Sequence, residues 1–380
     1  MAIRFGYIST FPPTQCGLAT FTAALARALT ALGEDDGLVA RLMEVARPGS
    51  ASDGLTDIVH GDAATAARST QLLNDCDVVI VQHEFGIYGG RDGDDVLTLL
   101  AQLEVPTIVV LHTVLVEPTT HQRQVLEAVV AAATAVVTMT QTARDRLAVG
   151  YQVDMGKVSI IAHGAPEQSS SPPTLNPVFR NGQATVLTWG LLGPGKGIEW
   201  GIEAMSHLQD IRPAPRYHVA GHTHPKVALR EGEAYRDSLG RRIQRLALNG
   251  VVQLDGHYRD ASSLAELVST ADVVLLPYDS TDQVTSGVLI EAVAACKPVV
   301  ATQFPHAVEL LSGGAGVVVP HRDPTAIADA LRRVLTQRDV AASMSDAARV
   351  AAPQLRWSVV AQKYRELATR LIADAVVVAA

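Results

Sequence analysis

Residues 271–303 read ADVVLLPYDSTDQVTSGVLIEAVAACKPVVATQ. The run VVLLP is apolar and β-branched, TDQVTSG is polar, VLIEAVAAC is built of small and aliphatic residues, and KPVVATQ is β-branched again. Strand, loop, helix and strand in that order is the pattern of parallel strands joined by a crossover helix. One residue resists it. Glu291 stands among Ile290, Ala292, Val293 and Ala295, which leave little polar face for an ordinary surface acid. The loop before it brings the helix N-terminus, with its free N–H groups, to the edge of the sheet, where a phosphate is readily held.

The same alternation extends outward. IRFGYIS, DVVIVQHE, TIVVLHT, AVVTM and VSIIAHG are strands separated by helical patterns or turns, and ATVLTWG, YHVAGH, GVVQLDG, ADVVLLPY, KPVVATQ and AGVVVP repeat the scheme. Between the sets, QSSSPPTLNPVFRNGQ (168–183) breaks the rhythm with serine, proline and asparagine. At 380 residues, two domains sharing a cleft are expected. The reading is α/β, with a Rossmann-like doubly wound domain over 1–170, a linker over 171–183 and a second over 184–355. The stretch RWSVVAQKYRELATRLIADAV (356–376), with Val359, Tyr364, Leu367 and Leu371 at helical spacing, is expected to cross back and brace the first domain.

Composition narrows the function. With 48% hydrophobic and 18% charged residues the chain folds. A net charge of −8 argues against a nucleic-acid partner, so an anionic ligand needs a local site. Cys16, Cys76 and Cys296 lack metal or disulfide spacing, suit a reducing cytoplasm and read as small buried hydrophobes. MAIRFGYISTFPP reads as a first strand rather than a secretory leader, and no window is long and apolar enough to span a membrane. The tail LIADAVVVAA reads as a packed terminal helix.

In open parallel sheets ligands bind beyond the carboxyl ends of the strands. Four such places carry polar or glycine clusters. Gly17 follows a proline turn and precedes a helix, where backbone N–H groups can meet an anion. TWGLLGPGKGIEW brings Gly190, Gly193, Gly195, Gly197 and the cation of Lys196, without the Walker pattern or the full dinucleotide fingerprint. His83, His112 and His163 each end a strand of the first domain; a histidine there can bond a sugar hydroxyl or a developing charge, and His112 is the first choice. The fourth is the opening stretch, where Gln283 in the loop and Glu291 in the helix can face one ligand.

Four of these segments in this order, PPTQCGLATF (12–21), HG (163–164), GLLGPGKG (190–197) and QVTSGVLIEAVAACKPVVAT (283–302), resemble the family 4 glycosyltransferases, which are retaining enzymes of GT-B architecture. The resemblance runs over nearly the whole chain. It implies an acceptor role for the first domain and a donor role for the second. Lys196 would contact the donor diphosphate, Glu291 the ribose hydroxyls, and backbone groups around Thr285, Ser286, Gly287 and Val288 the phosphate. Gly17, Gly190 and Gly197 would lie beside the nucleotide, His112 near the donor sugar, and His83 and His163 at sugar or acceptor positions. His112, Lys196 and Gln283 are thus the catalytic candidates.

Two positions depart from the family pattern. Gln283 replaces the first of its two acids, and Leu191 stands where an arginine is common, so Lys196 would need help from Arg241, Arg242 or Lys226. AGHTHP and REGEAYRDSL look like a bacterial subgroup that also carries Gln with Ser-Gly in this motif. The expected reaction moves a hexose from a nucleoside-diphosphate sugar, GDP-mannose ahead of UDP-glucose, to a hydroxyl of a sugar, glycan or glycolipid, with retention. Helix N-termini and Lys196 can stabilise the leaving diphosphate, so no metal or other cofactor is expected. A GT-B epimerase or phosphorylase and a non-catalytic nucleotide-sugar binder are the alternatives. Weak membrane-surface association and the oligomeric state are left open.

Overall fold

The structure, a computed structural model, describes residues 2–33, 36–45, 54–167 and 182–379. The chain divides into two compact units, Met1–Gly164 with Trp357–Ala380, and Ala165–Arg356. The linker expected over 171–183 falls almost wholly outside the described residues.

In the first unit β1 (Arg4–Ser9), α1 (Gly17–Ala31), β2 (Asp36–Met43), β3 (Leu55–Val59), α2 (Ala63–Leu73), β4 (Val78–His83), α3 (Asp95–Ala101), β5 (Thr107–Leu111), α4 (Thr120–Ala132), β6 (Ala135–Thr138), α5 (Gln141–Gly150) and β7 (Val158–Ile160) follow one another. The strands form one parallel sheet in the order β3-β2-β1-β4-β5-β6-β7. β4, β5 and β6 are buried throughout, which is why they read as unbroken apolar runs rather than alternating ones. Helix starts are written locally: Asp62 caps α2, and Thr119 with Gln122 forms a capping box on α4.

The second unit contains β8 (Thr185–Trp189), α6 (Ile198–Ser206), β9 (Arg216–Ala220), α7 (Pro225–Glu231), α8 (Ala234–Arg245), β10 (Val252–Asp255), α9 (Ala261–Thr270), β11 (Val273–Leu276), α10 (Gly287–Ala294), β12 (Val299–Thr302), α11 (Pro305–Leu311), β13 (Gly316–Val319), α12 (Pro324–Thr336) and α13 (Arg338–Ala351). Its parallel sheet has the order β10-β9-β8-β11-β12-β13. Each unit is therefore doubly wound, and its strand order reverses at β1/β4 or β8/β11, the place where such folds bind ligands.

The last helix, α14 (Trp357–Ala379), packs on α1 of the first unit. Trp357, Val360, Ala361, Tyr364, Leu367 and Ala368 join Phe21, Leu25 and Leu29 in one core. Full burial of side chains of this size contributes roughly 1.5–3 kcal/mol each. The seam runs through Val360 rather than Val359, which is only half-buried. Gly164 exists for this helix: a Cβ there would stand 2.2 Å from Trp357 Cδ2. The tail departs from the packed helix expected of it. It is helical, but Ala373 to Val377 are exposed, because the core-facing stripe ends at Leu371 and Ile372. Among the described residues no helix is long and apolar enough to cross a membrane.

Candidate functional site

At the β8/β11 switch point two loops and a helix start converge. Gly190–Gly197 follows β8, and residues 277–286 lead from β11 into α10. The loops are joined by the Asp279 N–H, which donates to the Gly195 carbonyl at 2.9 Å. Gly197 has φ +62° and its Cα lies so close to Pro277 that a Cβ would sit 1.7 Å from the carbonyl oxygen; only glycine permits this approach. Lys196 is thereby turned inward, its Nζ 4.2 Å from the centre of the Tyr278 ring. Tyr278 is buried and packs on Phe304 at 5.1 Å. Among the described residues no carboxylate pairs with Lys196. Burial pushes its pKa down to about 8, so the ammonium is still mostly charged at neutral pH.

Glu291 answers the question posed by its helix. Its carboxylate reaches the end of β8, where Trp189 Nε1 donates to Oε2 at 3.0 Å. Burial pushes the pKa up to about 7, and the Trp189 bond holds it from rising further. Val288, on the first turn of α10, lies beside Gly190, with Cγ2 3.6 Å from where a Gly190 Cβ would be. Gly190, Val288 and Glu291 thus come together, with Trp189 between.

The loop before α10 is closed by its own polar groups. Gln283 Nε2 donates to the Thr285 carbonyl at 3.2 Å. The Ser286 N–H donates to His306 Nδ1 at 2.8 Å, and Ser286 Oγ caps the helix by accepting from Leu289 N at 3.3 Å. The Ser286 N–H is therefore already committed to His306 in this conformation. Gly287 and Val288 have N–H groups with no acceptor among the described residues, and the Thr285 hydroxyl is likewise without a partner.

Of the helper cations proposed for Lys196, Lys226 lies on α7 and acts electrostatically, together with Lys196, on His224. Arg242 is bonded to Glu203 and stacks over Trp200 at 5.8 Å. Arg241, Arg242 and Arg245 line a groove of about 520 Å³ with Tyr235 and Gly195, and Lys196 is absent from its lining. In the loop 255–260 Asp255 binds His257 and Arg259, while Tyr258 is left exposed with its ring 5.7 Å from that of His222. Among the described residues no group of three or more His, Cys, Asp or Glu can hold a metal ion.

The first unit presents rings at its β1/β4 switch point. Phe21 touches His112 and His163, each at 4.9 Å, and Trp357 at 5.1 Å, all edge-on. His112 Nε2 meets Gln82 Oε1 at 2.7 Å, and His163 Nδ1 meets the Gly164 carbonyl at 2.6 Å. Each bond requires the proton on the named nitrogen, leaving His112 Nδ1 and His163 Nε2 as acceptors. Burial, reinforced by His163 and His83, pushes His112 down to about 3; burial also holds His163 at about 4 against the Gly164 bond, so both are neutral at pH 7. His83 is not part of this ring cluster. Strand alternation sends it to the opposite face from Gln82, where it is fully buried against Phe85 with neither nitrogen bonded among the described residues. Gly17 opens α1, and a Cβ there would meet nothing within 4 Å, so packing does not demand the glycine. Cys16, expected to be buried, is instead half-exposed and caps α1 through Sγ; Cys76 and Cys296 are buried.

Sequence reasoning missed Trp189, Tyr278 and His306. Trp189 and Tyr278 carry the one available signal, standing at strand ends beside Gly190 and Asp279; His306 carries none.

Residues 176–351 match the family described as Glycosyl transferases group 1. No curated protein matches the sequence. Among solved structures, Anabaena HepE in complex with UDP and glucose is 16% identical, with a TM-score of 0.74 over 97% of this chain and 100% of its own. Sucrose-phosphate synthase from Thermosynechococcus elongatus is 19% identical, with a TM-score of 0.75 over 98% of this chain and 100% of its own. A glycosyltransferase from Rickettsia africae is 16% identical, with a TM-score of 0.73 over 97% and 99%. At such identities the likeness is one of fold, and the fold is GT-B. The match to the glycosyl transferases group 1 family falls within the second unit and the linker before it.

Proposed function

We propose that the chain transfers a hexosyl group from a nucleoside-diphosphate sugar to a hydroxyl of a carbohydrate acceptor, a sugar, glycan or glycolipid, with retention at the anomeric carbon. The observation that carries this reading is Lys196: a desolvated ammonium with no carboxylate partner among the described residues, at the same sheet edge as the free N–H groups of Gly287 and Val288. A buried cation without a counter-charge is costly unless a ligand supplies one. A diphosphate does so, and its growing negative charge as the glycosidic bond breaks is what this arrangement stabilises. Glu291 takes the ribose hydroxyls, its Oε1 being the oxygen not bonded to Trp189. Gln283 keeps Oε1 for a sugar hydroxyl while Nε2 holds the loop. In the first unit the acceptor nitrogens of His112 and His163 suit sugar hydroxyls.

The subgroup resemblance favours GDP-mannose as donor, and the UDP and glucose found with Anabaena HepE support UDP-glucose as the second reading. We place the chain in the cytoplasm, in keeping with its three free cysteines. Incubation with each donor and a panel of sugar acceptors, followed by mass analysis of products, tests the proposal. Transfer from one donor, abolished in Lys196→Met, is expected. Saturable binding of both nucleotides without turnover of either donor contradicts it.

A further inference from the structure

We infer that His306 is a positioning residue for the donor-phosphate pocket, pinning both ends of the loop 283–286 ahead of α10. The inference rests on the donor reading above. His306 is 3% exposed and lies in the first turn of α11, where Pro305 starts the helix. Its ring Nδ1 accepts the Ser286 N–H at 2.8 Å, and its own N–H donates to the Gln283 carbonyl at 3.4 Å. Accepting at Nδ1 requires a lone pair there, so the ring proton is on Nε2. The residue two positions before it, Phe304, is fully buried and packs on Tyr278, the ring under Lys196. One short segment, Phe304 to His306 at the start of α11, therefore touches both the platform of the cation and the loop that opens α10.

The consequence is selection of donors. The Ser286 N–H is spent on the imidazole, and its hydroxyl oxygen accepts the Leu289 N–H. Gly287 and Val288 are left with backbone N–H groups that have no acceptor among the described residues, next to a loop held at both ends by His306. Truncating the imidazole strands a buried N–H and frees the loop at once. Asparagine at this position keeps a carbonyl oxygen near the place of Nδ1 and can accept the same bond.

The test compares His306→Ala and His306→Asn with the unaltered chain by amide hydrogen exchange without nucleotide and by calorimetry with UDP and with GDP. In His306→Ala, exchange at residues 285–289 accelerates while the rest of the second unit is unchanged. The Kd for the nucleotide that binds rises about five- to tenfold, the worth of one hydrogen bond. His306→Asn restores both to within about twofold. Unchanged exchange at 285–289, acceleration spread over the whole unit, or an asparagine variant as weak as the alanine one overturns the inference. An unaltered chain that binds neither nucleotide overturns it too, through the donor reading, and the nucleotide-free exchange shows separately whether His306 holds the loop.

Discussion

The two units share a winding scheme and differ in what they place at the switch point. At the edge of the first stand uncharged rings: His112 and His163 around Phe21, with Trp357 behind. At the edge of the second stand charges whose partners are incomplete: Lys196 over Tyr278 without a carboxylate, and Glu291 held near half-protonation at neutral pH. The topology decides where a ligand is met, and the side chains decide which. One edge offers neutral acceptors suited to hydroxyls; the other offers a cation and free N–H groups suited to phosphate.

Acidification separates the units most strongly. His83 and His163 are lowered to about 4 and His112 to about 3, chiefly by burial, so an unfolded chain binds their protons first as pH falls. The stability they hold is fully present above pH 6.5 and is lost as pH falls through about 4. At about 1.4 kcal/mol per pK unit, the share that the three rings together lose between pH 6.5 and pH 5 is several kcal/mol. Glu291 acts in the opposite sense: its raised pKa makes the second unit lose stability as pH rises from 4.5 to about 7. Limited proteolysis at pH 7 and pH 5, with cleavage sites mapped, is expected to open the first unit first. Cleavage beginning in the second unit at pH 5 breaks the comparison.

The next effect is steric and belongs to the second unit alone. Gly197→Ala places a Cβ 1.7 Å from the Pro277 carbonyl oxygen at a φ of +62°. It is expected to cost roughly 2–5 kcal/mol, from left-handed strain and overpacking together. Denaturant unfolding measures it, and a loss below about 1 kcal/mol shows that the two loops are less tightly joined than drawn.

A smaller effect sharpens the account of the loop. Because Gln283 donates to the Thr285 carbonyl, a carboxylate at this position sets two acceptors against each other. Gln283→Glu is expected to weaken nucleoside-diphosphate binding by roughly 1–2 kcal/mol, even though an acid is the family's commoner residue there. Affinity equal to the unaltered chain shows that the amide bond does not hold the loop.

Much of this was legible in the sequence, and the legible part has a physical pattern. Buried parallel strands such as VVIVQH and VVLLP announce themselves as apolar runs because both faces are covered. Lys196 among glycines and Glu291 in an apolar helix stand out because each violates the local pattern. What escaped depends on contacts distant in sequence. The Trp189–Glu291 bond spans 102 residues, and His306 meets Ser286 20 residues away, beyond α10 and β12. His83 looks like His112 in sequence, yet the register of β4 places it on the other face. Gln283 read as an acceptor of a sugar hydroxyl, and only the folded loop shows its amide already donating.

The central claim is that the second unit holds an anion through Lys196. Calorimetry of UDP and GDP with the unaltered chain and with Lys196→Met tests it most directly, since methionine keeps the stem over Tyr278 and removes only the charge. The account predicts saturable binding to the unaltered chain and a loss of roughly 1–3 kcal/mol in the variant, the scale of a charge-assisted hydrogen bond. Equal affinity in the two proteins contradicts it.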